Sequence, residues 1–294
     1  MLRLLKIIPI ILVILLLTAC TAEPVEPGGI AATTAPVAQF AEAIISGTGL
    51  QVHPIITDSV SCLHDYSLSV RQMELVEHSA VVLVSGAGLE ESLEDALASA
   101  KAILDCSEGI VLKDMEGHDH SHEEHGHHHE DDPHIWLDPL RAVQMAENIC
   151  SGLSTLYPEH KDTFRTNTDG LILRLTELHT YGQAALSRLS CRELITFHDG
   201  FGYLADAYDL KLLAAIEEES GSEASAKDLT EMVHLIREHE LPAIFTEING
   251  SPSAAAVIRA ETGVGSFALD MAMGGIDYFE AMTHNFDTLK EALQ

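Results

Sequence analysis

Residues 158–189, PEHKDTFRTNTDGLILRLTELHTYGQAALSRL, decide the architecture. Pro158 opens the stretch, and the apolar residues Phe164, Leu171, Ile172, Leu175 and Leu178 recur at helical spacing. Gly170 and Gly182 are its weak points, because glycine costs about 1 kcal/mol relative to alanine inside a helix. No strand pattern accompanies this long element, which reads as a rigid strut. On both sides of it the chain alternates strand and helix patterns, which points to parallel α/β layers.

Upstream, residues 35–157 form a first lobe. A short strand and helix are expected over Ala35–Ser46 and a strand over Leu50–Ile56. A helix over Val70–Glu77, capped by Ser69, a buried strand over Ala80–Val84 and a helix over Leu89–Lys101 follow. Short strands are expected around Ile103–Leu104 and Gly109–Leu112. Asp138 is a good N-cap and Pro139 a good first helical residue for a helix to Leu156. Downstream, residues 190–294 repeat the alternation. Strands are expected at Glu193–Phe197, Leu212–Ile216, Ala243–Thr246 and Gly265–Leu269. Helices are expected at Gly200–Tyr208, from Ser225 or Asp228 to Glu238, at Ser253–Glu261 and at Tyr278–Leu293.

The formal net charge of -30 argues against nucleic acid, whose phosphates require Lys and Arg, and suits a protein that attracts cations. At the N-terminus, Arg3 and Lys6 precede an apolar run from Ile7 to Leu17, too short for a spanning helix. Leu17-Thr18-Ala19-Cys20 resembles the bacterial lipobox. Residues 1–19 are thus expected to be a lipoprotein signal peptide, and residues 20–34 a tether lipidated on Cys20. Export allows disulfides. The remaining Cys62, Cys106, Cys150 and Cys191 permit three pairings. Cys62–Cys106 and Cys150–Cys191 are preferred because each pair stays within one compact region. A zinc site of four thiolates is the rival, disfavoured because no two of these cysteines are close in sequence.

Residues 116–131 hold seven histidines, His118, His120, His122, His125, His127, His128 and His129, among acids, serine and glycine. Such a segment cannot build a core, and its imidazoles suit Zn, Cu or Ni. It reads as a gatherer of metal ions without fixed geometry, or as a solvated pH-sensitive loop.

Ligands of open α/β sheets bind beyond the carboxyl ends of strands. Four metal-ligand residue types stand out: His64 after the strand at Leu50–Ile56, His134 just upstream of the Asp138–Pro139 helix start, His198 after Glu193–Phe197 and Asp270 after Gly265–Leu269. Each also has a bland reading. His64 and Asp65 suit a loop held by local hydrogen bonds, His134 another member of the capture segment, His198 a buried core histidine, Asp270 a turn. Asp199 reads as the N-cap of the next helix rather than as a ligand.

Several motifs carry a resemblance to a known family. Asp132-Pro133-His134-Ile135-Trp136-Leu137-Asp138-Pro139 is similar to D-P-H-x-W-L-D-P of the zinc-binding subfamily of bacterial metal-binding lipoproteins, the solute-binding proteins of ABC importers. Cys62-Leu63-His64-Asp65-Tyr66 resembles the family's P-H-D-Y/F-E-P, and Phe197-His198-Asp199-Gly200-Phe201-Gly202-Tyr203 its H-x-A-F-x-Y segment. Ser225 to Leu229, Ile244 to Glu247 and Leu269 to Met271 also resemble family segments, in the right order from about Pro36 onward. Ser67-Leu68 and Met271-Ala272-Met273 depart from the pattern. The resemblance implies two Rossmann-like α/β lobes joined by a single long helix, with the metal in the cleft between them. It implies His64, His134, His198 and Asp270 as ligands, with Glu247 as the reserve carboxylate.

Three imidazoles and a carboxylate suit tetrahedral Zn²⁺, whereas manganese prefers more oxygen. The ligating histidines must be deprotonated, so affinity is expected to fall in acid. The implied role is capture of zinc outside the cytoplasm and delivery to the permease and ATPase subunits of an importer. The protein would be a monomer held to the membrane by lipid. A manganese receptor of the same family and a surface metal buffer or adhesin are the alternatives. A zinc hydrolase is disfavoured: there is no H-E-x-x-H motif, and four protein ligands would leave no open position for water.

Overall fold

The computed structural model describes residues 28–294 apart from 59, 61, 62, 64, 65, 114–130, 218–223 and 251. Two four-stranded parallel sheets lie on either side of one long helix. The first contains β1 (Ile30–Ala32), β2 (Val52–Pro54), β3 (Val81–Val84) and β4 (Ile103–Asp105), in the order β2-β1-β3-β4. The second contains β5 (Glu193–His198), β6 (Lys211–Glu217), β7 (Ala243–Glu247) and β8 (Gly265–Leu269), in the equivalent order β6-β5-β7-β8. The interior strands β1 and β3 are buried along their whole length, as parallel strands covered on both faces must be. β2 ends on Pro54, which an edge strand tolerates.

The helices are α1 (Ala35–Ile45), α2 (Val70–His78), α3 (Glu94–Leu97), α4 (Pro139–Leu156), α5 (Lys161–Ala185), α6 (Gly202–Ala207), α7 (Ala226–Glu238), α8 (Pro252–Thr262) and α9 (Tyr278–Leu293). Ser69 and Ser225 cap α2 and α7 with reciprocal capping boxes, and Asp138 caps α4 by accepting from the Leu140 amide at 2.9 Å. The 25 residues of α5 turn Phe164, Thr168, Leu171, Leu175, Leu178 and Gly182 to one buried face. Gly182 does not interrupt it. A Cβ there would come within 2.7 Å of the Tyr208 ring and 2.9 Å of Phe286, so the glycine admits close packing from the second lobe.

One apolar core runs from Ile30 in β1 to Leu293 in α9 and passes through both lobes. A smaller one, built on Ile195, Ile216, Ile236, Ile244 and Ile258, lies under α7 and α8. The lobes are also tied by polar contacts. Gln39 of α1 donates to the Ile276 carbonyl at 3.0 Å and accepts from the Tyr278 amide at 2.7 Å. The Tyr278 ring meets Phe40 edge-on at 5.0 Å.

Several expectations are corrected. The tether to Thr34 contains β1, a fully buried interior strand, so the first lobe begins at Ile30. The helix over Leu89–Lys101 shrinks to a 3₁₀ turn and the four residues of α3. No strand forms at Gly109–Leu112. Asp199 does not cap α6, which starts after Phe201 without a side-chain cap. Cys150 and Cys191 are not bridged: Cys150 is buried on α4, and Cys191 lies beside the end of α9 with its thiol on the Glu193 carbonyl at 3.3 Å. The pairing presumed one compact region, whereas α4 packs in the first lobe and Cys191 leads into the second sheet. Cys106 is buried and unbridged, and Cys62 lies outside the described residues. Among the described residues no helix is long and apolar enough to cross a membrane. Residues 1–27, with Cys20, lie outside them.

Candidate metal centre

In each sheet the chain leaves its first strand for one neighbour and then crosses to the other, so the crevice for a ligand lies between β1 and β3, and between β5 and β7. In the first sheet the protein fills that crevice itself. The buried Glu90 carboxylate accepts from the Thr33 hydroxyl at 2.5 Å and from the Ser85 and Gly86 amides at 2.8 and 3.1 Å. In the second sheet His198 is the last residue of β5 and Glu247 the last of β7.

His134 reaches this second crevice from the first lobe. It precedes a 3₁₀ turn, Ile135–Leu137, that leads into the capped start of α4. Trp136 and Leu137 are fully buried and anchor the turn. The Trp136 indole N–H donates to the Met271 carbonyl at 2.8 Å, and the Tyr278 hydroxyl donates to the Trp136 carbonyl at 2.7 Å. The first-lobe turn is therefore held by second-lobe groups.

The two imidazoles meet at right angles, with ring centroids 4.9 Å apart and Nε2 atoms 3.2 Å apart. His134 is 0% exposed and His198 1%. Asp132 fixes the first ring: its Oδ1 accepts from the His134 amide at 2.9 Å and from Nδ1 at 2.8 Å. With the proton on Nδ1, the Nε2 lone pair is directed at His198. Two nitrogens bound to one tetrahedral ion at about 2.0–2.1 Å stand about 3.3 Å apart, close to the spacing found here. Glu247 faces the other edge of His198, with Oε1 3.7 Å from Nδ1. Gly200 lies against both rings; a Cβ there would fall 2.8 Å from His198 Cδ2 and 2.9 Å from His134 Nδ1.

Asp270 follows β8 in a loop fixed from α9. Its amide donates to Asn285 Oδ1 and its carbonyl accepts from Asn285 Nδ2, both at 2.7 Å, while its Oδ1 accepts from the Ala272 amide at 2.7 Å. No hydrogen bond joins it to the histidine pair among the described residues; its neighbour Met271 packs toward Gly200 instead. Among the described residues no three His, Cys, Asp or Glu side chains group closely enough to hold an ion by themselves. His64 and the seven histidines His118 to His129 lie outside those residues. Of the expected set the structure brings His134 and His198 together, with Glu247 beyond His198 at 3.7 Å.

Sequence reasoning gave Asp132 no separate role. The available signal was a carboxylate two residues before a candidate ligand in a turn stiffened by Pro133. Tyr203, which closes the Phe197–Tyr203 motif, has a role that its position in the motif alone does not reveal. Its hydroxyl donates to the Asp132 carbonyl at 2.8 Å and accepts from the Lys113 amide at 3.1 Å.

Residues 30–292 match the family described as "ZnuA: Zinc-uptake complex component A periplasmic". The chain is 28% identical over 285 residues to the zinc-binding protein AdcA of Streptococcus pyogenes serotype M3, covering 89% of this chain and 55% of that protein. It is 27% identical over 262 residues to a putative metal-binding protein of Treponema pallidum, covering 85% and 82%. The chain spans about half the length of the AdcA relatives it matches. Its fold is similar to the crystal structure of ZnuA, with a TM-score of 0.80, 26% identity, and 92% and 100% of the two chains covered. It is also similar to the Zn(II)-bound ZnuA-like domain of Streptococcus pneumoniae AdcA, with a TM-score of 0.75, 26% identity, and 91% and 99% covered.

Proposed function

The chain belongs to the periplasmic zinc-uptake complex component A family, and from that premise we propose that it captures Zn²⁺ outside the cytoplasm and delivers it to an ABC-type permease powered by an ATPase subunit. The observation that carries this reading is the buried His134–His198 pair, brought together from the two lobes with its Nε2 atoms 3.2 Å apart. Two neutral imidazoles at that spacing suit a borderline divalent ion better than one that demands oxygen. The names of the AdcA relatives and the Zn(II)-bound AdcA domain support zinc as the cargo.

In this reading His64 and Asp270 complete the ligand set, and Glu247 orients His198. The His-rich segment raises the local zinc concentration. The chain acts as a monomer anchored through lipid on Cys20. Its work is binding and release, without bond-making chemistry. The ties through Trp136, Tyr278 and Gln39 favour release by local movement over wide opening of the lobes.

The test is calorimetric titration, with a competing chelator, of the mature chain shortened in its His-rich segment. Zn²⁺ and Mn²⁺ are compared, and His198→Ala is run in parallel. One tight zinc site that survives shortening and is lost in His198→Ala is expected. Binding that vanishes with the segment would make the protein a weak buffer and refute the reading.

A further inference from the structure

The base of the His-rich segment is a closed triangle of hydrogen bonds. The Asp132 amide donates to the Lys113 carbonyl at 2.7 Å, so the two ends of the segment are paired directly. The third corner is Tyr203 of α6, in the second lobe. Its hydroxyl accepts from the Lys113 amide at 3.1 Å and donates to the Asp132 carbonyl at 2.8 Å. Tyr203 is fully buried, and the Arg141 guanidinium stacks on its ring, 4.5 Å from the centroid. A second tie from the same helix joins Lys113 Nζ to Asp206 at 2.6 Å. Asp206 is half exposed, so this tie is solvent-screened and weak.

Asp132 also holds His134 through its amide and its Nδ1. One residue therefore separates the Tyr203 hydroxyl from the imidazole. Tyr203 lies five positions after His198, so a short path joins both histidines: His198, the turn into α6, Tyr203, Asp132, His134.

We infer that Tyr203 is a positioning residue for the metal pair: it ties Lys113 and Asp132, which flank the His-rich segment, to the second lobe and, through Asp132, keeps His134 in its ligating orientation. This rests on the zinc reading above. The physical reason is chain entropy. Holding together the ends of a long polar segment costs free energy that grows with the logarithm of its length. Without the tyrosine hydroxyl, the part-buried Lys113 amide loses this acceptor and the Asp132–Lys113 bond loses its tie to the second lobe through Tyr203. The clamp persists across the working pH range, because burial pushes the Tyr203 hydroxyl up to about 12 and keeps it a donor.

The test compares Tyr203→Phe in two backgrounds, the full mature chain and a chain in which residues 116–129 are replaced by two glycines. The short connection holds the ends together by itself and should rescue the variant. Zinc alone is the probe, read by chelator competition on the tightest site. Tyr203→Phe is expected to weaken zinc binding about ten-fold in the full chain, the scale of losing an outer-shell partner, and less than about three-fold in the shortened chain. Imidazole nitrogen shifts of zinc-free His134 should show the Nδ1–H form in wild type and a mixture of tautomers in the full-length variant. Equal losses in both backgrounds would reduce Tyr203 to packing and overturn the inference, as would an unchanged affinity in the full chain. A wild-type site that survives His198→Ala would instead overturn the zinc reading on which the inference stands.

Discussion

Replacing Asp132 by asparagine keeps the size of the side chain and removes its charge. In the structure Asp132 is 3% exposed, and one of its oxygens accepts two N–H groups of His134, at 2.9 and 2.8 Å. A hydrogen bond to a charged group contributes about 1.5–3 kcal/mol, but much of that is common to the empty and loaded protein and cancels in an affinity. What remains is the response of the ring to the ion. When Nε2 binds a dication, the Nδ1–H becomes more acidic and its bond to a carboxylate strengthens. An amide oxygen responds less, and a flipped amide presents a donor that favours the wrong tautomer. Loss of such a partner typically weakens metal binding 10- to 100-fold, or about 1.4–2.8 kcal/mol. The assay is chelator-competition calorimetry with zinc on the shortened chain, with exposed Asp131→Asn as the control for net charge. Asp132→Asn should fall in that range and Asp131→Asn within about two-fold of wild type. Equal effects of the two substitutions, or an Asp132→Asn affinity within about three-fold of wild type, would refute the idea that Asp132 sets the tautomer.

Three further outcomes are expected. Burial holds the Glu90 carboxyl above its ordinary value of 4.5, against the pull of the Thr33 hydroxyl and the Ser85 and Gly86 amides. A raised acid contributes stability at low pH that is lost as pH climbs through the raised value. Urea unfolding should therefore show wild type losing stability relative to Glu90→Gln from about pH 4.5 upward, and the opposite slope would contradict this. Cys150 and Cys191 should both react with a thiol reagent after unfolding without reductant, as two unbridged cysteines must; protection of both would restore the disulfide. Small-angle scattering of zinc-free and zinc-loaded protein should give the same radius of gyration within error, because the lobes share a core and are tied through Trp136, Tyr278 and Gln39. A clear contraction on loading would show that the lobes hinge.

The secondary structure was legible where side-chain caps or compact apolar runs marked it, but not over Leu89–Lys101, whose helical pattern forms only a 3₁₀ turn and α3. Asp138-Pro139, Ser69 and Ser225 each satisfy orphan amides within one turn, and all three start helices where expected. The second-lobe strands are apolar, five to seven residues long and bounded by turn formers, and all four formed. β1 was missed because Ile30-Ala31-Ala32 is too short to show a period and follows a segment rich in proline and glycine. It becomes a strand only because β2 and β3 pair with it on either side.

Residue type, with a place after a strand end for His198 and before a helix start for His134, nominated the pair, and the family resemblance named both as ligands. The sequence by itself therefore determined the two alternating lobes and the long helix between them, since each follows from hydrogen bonding and periodicity within a few residues; the candidate ligands it offered through residue type and family resemblance. Only the tertiary structure decided that Asp132 holds one ring while Glu247 faces the other, that Glu90 plugs the first crevice, that Gly182 serves packing, and that Cys150 and Cys191 stay apart. Those outcomes depend on which surfaces meet across intervals of tens of residues, and no local rule of chain geometry specifies that meeting.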